Sequence, residues 1–213
     1  MSSWSPNGTE IAFSCIDPSA PEGSDGQEIC VVNVASKQVR TLTSSSDGFI
    51  GYEPAWSPNG DVIVYSAAHL ERVNGQDEPR LDLFAVAPGG GPSTILTPGA
   101  DQESEPDFSP DGTQLAFTMV SATSGGPRGI GIAGAGGGVG TLVTTTNGDR
   151  HPAWSPDGTK LAFSHPVTTP SANPPIMQIM VLDMTQRQNP PLQITQAPYD
   201  CLHPDWGRSQ PGR

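Results

Sequence analysis

Two acids and two imidazoles recur at one register of this chain. Glu53, Glu105, His151 and His203 each stand directly before a proline, in Tyr52-Glu53-Pro54, Ser104-Glu105-Pro106, Arg150-His151-Pro152 and Leu202-His203-Pro204. Each also lies three residues before an aromatic: Trp56, Phe108, Trp154 or Trp206. Brought to one point, two carboxylates and two imidazoles suit Zn, Mn, Fe or Ni. The competing assignment is structural. At a repeated register the same side chains cap a strand and hydrogen-bond the neighbouring repeat. Deciding between the two requires the elements that carry them.

Those elements are repeats. The turn Ser-Pro-Asn/Asp-Gly follows an aromatic in Trp4-Ser5-Pro6-Asn7-Gly8, Trp56-Ser57-Pro58-Asn59-Gly60, Phe108-Ser109-Pro110-Asp111-Gly112 and Trp154-Ser155-Pro156-Asp157-Gly158. A decayed fifth copy is Pro204-Asp205-Trp206-Gly207. The aromatics are 52, 52, 46 and 52 residues apart. Proline presets φ at the second turn position, Asn or Asp tolerates the third, and Gly accepts a positive φ at the fourth. Such a turn joins an aromatic strand to an apolar one: Ile11-Ala12-Phe13, Val62 to Tyr65, Leu115-Ala116-Phe117 or Leu161-Ala162-Phe163. A variable loop follows. The third strand is Ile29 to Val34, Leu83 to Ala87, Ile130 to Ala133 or Ile179 to Met184. The fourth ends on Thr43, Thr97, Thr144 or Thr195. The runs are short and β-branched or aromatic, between Gly, Pro, Asn and Ser. No window carries a sustained helical stripe.

Four strands per unit at a period near 50 define an all-β chain of β-propeller blades. The blades span about residues 2–46, 53–98, 105–146 and 151–197, with an extra inner strand at 203–207, all in one domain over 1–213. In a propeller the Glu53, Glu105, His151 and His203 register falls at the mouth of the central channel.

The pattern Pro-x-Trp-Ser-Pro-Asn/Asp-Gly-x-x-Ile/Leu-Ala-Phe resembles the WD40-like PD40 repeat of the TolB-type propellers, over essentially the whole chain. That family holds periplasmic scaffold propellers, substrate-gating propellers of serine peptidases and some polysaccharide lyases with a channel metal held largely by histidine. The resemblance therefore implies a fold and leaves the activity open.

The chain has 213 residues, a formal net charge of −12 and 25 glycines. That length fits one array of blades and no second domain. The negative charge argues against nucleic acid and anionic membrane surfaces as partners. No apolar stretch is long enough for a transmembrane helix. Met1 runs straight into the first repeat, so no signal peptide is expected within this sequence.

Three cysteines remain. Cys15 ends the second strand of blade 1 and Cys30 lies in the third, so antiparallel pairing makes a Cys15–Cys30 bridge geometrically plausible. Two buried thiols are the alternative. A bridge would place the chain in an oxidising compartment. Cys201 has no evident partner.

Asp47, Asp101, Glu103, Asp149 and Asp200 cluster in the lead-in loops and make that face negative, with calcium as the sharper option. No loop has EF-hand spacing. Gly129-Ile130-Gly131-Ile132-Ala133-Gly134 matches a dinucleotide fingerprint but lies on a strand with no helix after it. There is no Gly-x-Ser-x-Gly elbow. His69 and His165 read as surface residues. Asp17 to Gln27, Ala67 to Arg80, Val120 to Arg128 and His165 to Met177 read as long loops on the channel-mouth face, suited to partner contact.

Five inner strands against four sets of outer strands describe an arc. A clasp by the Trp206 segment, a second copy, or a different subunit would cover its open faces. The leading functional expectation is a non-catalytic, TolB-like, protein-binding scaffold or accessory subunit of an extracytoplasmic, membrane-associated assembly, periplasmic or secreted. The alternative is a metal-dependent polysaccharide lyase or hydrolase, with the channel quartet holding a divalent metal and Arg150 or an Asp acting on an anionic substrate. A further alternative is a gating fragment of a serine peptidase.

Overall fold

The computed structural model describes residues 2–19, 26–44, 50–122, 126–144, 148–169 and 172–207. These form four antiparallel sheets of four strands each, and no helix. Blade 1 is β1 (Ser2–Trp4), β2 (Glu10–Ile16), β3 (Gln27–Asn33) and β4 (Val39–Thr41). Blade 2 is β5 (Ile50–Trp56), β6 (Ile63–Val73), β7 (Gln76–Val86) and β8 (Thr94–Ile95). Blade 3 is β9 (Gln102–Phe108), β10 (Gln114–Val120), β11 (Arg128–Gly134) and β12 (Thr141–Leu142). Blade 4 is β13 (Arg150–Trp154), β14 (Lys160–Thr169), β15 (Ala172–Asp183) and β16 (Leu192–Gln193). Each sheet runs in chain order from inner to outer strand.

The repeated turn is held by its own side chains. The Gly8, Gly60, Gly112 and Gly158 N–H groups bond the Ser5, Ser57, Ser109 and Ser155 carbonyls, at φ between 69° and 84°. Each serine Oγ then accepts the N–H five residues on, from Glu10, Val62, Gln114 or Lys160. Asn7, Asp111 and Asp157 take the serine hydroxyl and the backbone N–H of the following threonine, closing an Asx cap. Those bonds hold the Asp111 and Asp157 carboxyls below the usual carboxylate range. In blade 2, Asp61 takes over the acceptor role from Asn59.

Strand alternation gives each blade two apolar faces, and the core is the set of junctions between blades. Ala12, Ile29, Val31 and Leu42 of blade 1 meet Trp56, Ile63, Tyr65, Phe84 and Val86 of blade 2. Val64, Leu83 and Ala85 then meet Phe108, Leu115, Phe117 and Ala133, and Ala116, Ile130 and Ile132 meet Trp154, Leu161, Phe163 and Leu182. The glycine run lies on β11, where Gly131 leaves room for the Phe117 ring and a Cβ would lie 2.8 Å from Cε2.

Two of the segments expected as loops are strands. Residues 67–80 form the outer part of the β6–β7 hairpin, paired from Ile63↔Val86 to Val73↔Gln76. The turn is Asn74-Gly75, both at positive φ, the usual two-residue hairpin turn. Likewise β14 and β15 carry residues 165–169 and 172–177 of the fourth segment, with register from Lys160↔Asp183 to Thr169↔Ala172, and 170–171 lie outside the described residues. Residues 20–25 and 123–125 of the other two segments lie outside the described residues, as does Asp47. Both hairpins project beyond the start of the inner strands, since β5 begins opposite Ala68 and β13 opposite Ser164.

The arc has two open ends. Residues 203–207 form no ladder, because no second strand follows them among the described residues. Cys15 and Cys30 are joined by a disulfide across β2 and β3.

Candidate functional site

Glu53, Glu105, His151 and His203 share a left-handed backbone, with φ of 51°, 58°, 56° and 53°. Non-glycine residues rarely sit there, at a cost of order 1–3 kcal/mol each. A bulge imposes it in three blades. Residues 53–54 oppose Tyr65 alone, 105–106 oppose Phe117, and 151–152 oppose Phe163. The proline after each has no N–H to leave unpaired in the broken ladder.

The bulge turns each freed N–H toward the preceding blade. Glu53 N–H donates to Ser14 Oγ at 3.3 Å, and Glu105 N–H to Ser66 Oγ at 3.0 Å. His151 N–H donates to Thr118 Oγ1 at 3.2 Å and to Glu105 Oε2 at 2.8 Å. The hydroxyls pass the chain onward. Ser66 donates to Glu53 Oε2, and Thr118 donates to Glu105 Oε2. His151 Nε2 lies 2.9 Å from Glu105 Oε1. One continuous hydrogen-bonded chain thus runs from blade 1 to blade 4 around the channel mouth. It ends at His151; at the equivalent register of blade 4 the buried Ser164 Oγ has no partner among the described residues.

The structure brings the quartet together at the rim of a cavity of about 420 Å³, walled by Pro54, Pro106, Pro152 and Pro204. The His151 and His203 rings are 3.8 Å apart. Burial and then His151 lower the His203 pKa. Burial and then Glu105 raise Glu53. Burial also works to raise Glu105, but the bonds from His151 and Thr118 outweigh it and hold that carboxyl below its usual value. Both Glu105 oxygens are committed to protein donors. Among the described residues, no group of three or more His, Cys, Asp or Glu is arranged to hold a metal ion.

Deeper in the channel, Asp107 accepts the Trp154 N–H at 2.6 Å. Burial and nearby Asp205, opposed by that bond, push its pKa up to about 7. Asp107 and Ser3, which accepts the Trp56 N–H, sit at one register, directly before the aromatic. That repeated position was the available signal for them.

The lead-in acids do not form an exposed cluster. Glu103 and Asp149 are buried. Glu103 packs against Asp82 and Thr97, and desolvation, then Asp82, push it up to about 8. Asp149 bonds Thr144 and His165, while burial raises it. Asp101 accepts the Ala122 N–H and Asp200 the Met177 N–H. His69 and His165 are not simply surface residues either. His69 Nε2 contacts buried Asp82, and His165 Nδ1 contacts buried Asp149 at 2.6 Å. Thr43, Thr97, Thr144 and Thr195 each accept a third-strand N–H at 2.9 Å, from Ile29, Leu83, Ile130 and Ile179.

Repeated four-stranded blades, junction cores and an interblade channel define an open β-propeller arc. The chain belongs to the TolB beta propeller domain family, which it matches over residues 1–201. It is 30% identical over 124 residues to a protein TolB homolog from Chlorobium luteolum, covering 58% of this chain and 24% of that one. The TolB structure from Agrobacterium tumefaciens superposes with a TM-score of 0.66 at 21% identity, over 90% of this chain and 63% of that one. An oligogalacturonate lyase in complex with manganese gives 0.62 at 18% identity, over 92% and 53%. At such identities these two structures share the fold. The chain therefore spans about a quarter of its curated relative's length. No helix among the described residues is long and apolar enough to cross a membrane.

Proposed function

We propose that this chain is a non-catalytic, protein-binding propeller module of an extracytoplasmic, membrane-associated assembly. The observation that carries the reading is the pair of long hairpins, β6–β7 and β14–β15, raised at the channel-mouth end of blades 2 and 4. They flank blade 3 and present exposed side chains such as Leu70 and paired charges such as Glu71 with Arg80. Two supports come from elsewhere. At the channel mouth, Glu53, Glu105 and His151 each bond the preceding blade. Membership of the TolB propeller family and a disulfide both suit an oxidising compartment outside the cytoplasm.

The test is affinity capture from the envelope fraction of the source organism. The wild-type chain is compared with a variant whose residues 70–79 are replaced by a two-residue Asn-Gly turn. Co-purification of a defined envelope protein, lost in the shortened variant, supports the reading. Capture that is identical with and without the hairpin contradicts it.

A further inference from the structure

An asparagine before a glycine carries a reaction of its own. Glycine has no side chain to screen its backbone nitrogen, so that nitrogen can reach the asparagine Cγ. Three such pairs lie among the described residues: Asn7-Gly8, Asn59-Gly60 and Asn74-Gly75. The fold treats them differently.

In the blade turns both reacting groups are held. The Gly8 and Gly60 N–H groups donate to the Ser5 and Ser57 carbonyls at 2.9 and 3.0 Å. Asn7 Oδ1 accepts from the Ser5 hydroxyl and from the Thr9 N–H and hydroxyl. Asn59 Nδ2 donates to Asp61 Oδ2 at 3.0 Å. A Cβ on Gly60 would lie 3.2 Å from Pro6 of blade 1, so this turn is also wedged against its neighbour. Freeing the Gly60 nitrogen breaks a turn whose Ser57 is buried and bonds the Val62 N–H.

The tip of the β6–β7 hairpin has none of this. Among the described residues, neither the Gly75 N–H nor the Asn74 amide has a hydrogen-bond partner. Both residues are exposed, at φ of 82° and 51°. A Cβ on Gly75 would meet nothing within 4 Å. The ribbon beneath stands in water, with residues 70–72 and 74–79 exposed. The Arg72–Asp77 pair below the turn is exposed on both sides, and such pairs hold little. Opening the end of this ribbon therefore costs far less than opening a blade turn.

We propose that Asn74 is a modification site, where the chain spontaneously deamidates and isomerises. When the tip opens, the Gly75 nitrogen attacks Asn74 Cγ. The N–Cγ bond forms, the Cγ–Nδ2 bond breaks, and ammonia leaves with the backbone proton. Water then opens the cyclic imide at either carbonyl and returns a proton to the nitrogen. Attack at Cγ gives aspartate. Attack at the Asn74 backbone carbonyl gives isoaspartate, whose main chain runs through the side-chain methylene. Water is the one co-reactant, and nothing is oxidised or reduced. Either product adds a negative charge near Asp77 and Glu78. Isoaspartate also lengthens the backbone of a two-residue turn, which then no longer holds the Val73↔Gln76 pair in register. The inference stands whether or not the hairpin meets a partner.

The test ages the full chain at physiological temperature and mildly alkaline pH, which favours loss of the proton from the attacking nitrogen. Peptide mass spectrometry with electron-transfer fragmentation follows each asparagine and separates aspartate from isoaspartate. In the folded chain Asn74 is expected to convert about tenfold faster than Asn59 or more, because protection follows the free energy of local opening. In urea, where only the local sequence counts, the two are expected to convert at similar rates. Equal rates in the folded chain overturn the proposal. So does an Asn74 that survives in the folded chain while the denatured chain converts. A ratio that is the same in urea as in the folded chain also overturns it, because the fold would then have no part.

Discussion

His151 grips the Glu105 carboxylate at both oxygens. Its backbone N–H donates to Oε2 at 2.8 Å and its Nε2 meets Oε1 at 2.9 Å. One residue of blade 4 is thereby bonded twice to one residue of blade 3, through a backbone that a bulge has turned left-handed. The residues that carry the most chemistry in this chain join its repeats to each other.

Removing Glu105 therefore unties more than one contact. Glu105→Ala removes the acceptor of the Thr118 hydroxyl and the contact of His151 Nε2, and leaves the His151 N–H only its longer bond to Thr118 Oγ1, so it is expected to cost about 3 kcal/mol. Glu105→Gln, which keeps the acceptor oxygen, should cost about 1 kcal/mol. Urea unfolding monitored by tryptophan fluorescence measures both. Equal losses in the two variants would contradict the account.

A pair of hydroxyls separates partnered from orphaned. Ser66 and Ser164 occupy one register, but Ser66 bonds Glu105 and Glu53 while Ser164 Oγ has no partner among the described residues. Ser66→Ala should destabilise by about 1–2 kcal/mol. Ser164→Ala should be neutral or slightly stabilising, since a buried hydroxyl without a partner is itself a cost. Thermal melts of the two variants rank them.

The repeat made most of this visible beforehand. Aromatic, turn and apolar run recur in register, so strand order and blade identity follow from spacing alone. The hairpin extensions did not follow. A two-stranded ribbon standing in water has no buried face, so residues 69–80 carry no alternation, and Asn74-Gly75 was the one turn signal available. Nothing in the residue type of Glu53 or His151 announces a positive φ, which the bulge imposes. Glu103 and Asp149 read as solvated because loop acids usually are. Their burial depends on Thr97 and Thr144, contributed by the preceding blade.

Glu103 gives stability an unusual pH dependence. Its folded pKa, about 8, lies above the unfolded value near 4.5. The folded state thus holds a proton that the unfolded state has released. The contribution is complete below the unfolded pKa, declines from about pH 4.5 to 8, and is gone above. Asp107, raised to about 7, acts in the same direction. Glu103→Gln should become progressively more stable relative to wild type as pH rises from 5 to 8. A stability difference independent of pH would count against the buried carboxyl pair.

The disulfide staples β2 to β3 in blade 1. Under non-reducing denaturation, thiol titration should find one free cysteine, Cys201. After reduction it should find all three. Loss of the Cys15–Cys30 link, 15 residues apart, should lower stability by about 3 kcal/mol. Three reactive thiols before reduction would contradict the pairing.

The central proposal is that Glu53, Glu105 and His151 serve to tie neighbouring blades together rather than to hold a metal with His203. Native mass spectrometry after incubation with excess Mn²⁺ or Zn²⁺ and desalting tests it most directly. The account predicts no ion retained at one per chain, with identical spectra for wild type and for His151→Ala. A single ion held by wild type and lost in His151→Ala would contradict it, and would make the channel mouth a metal site.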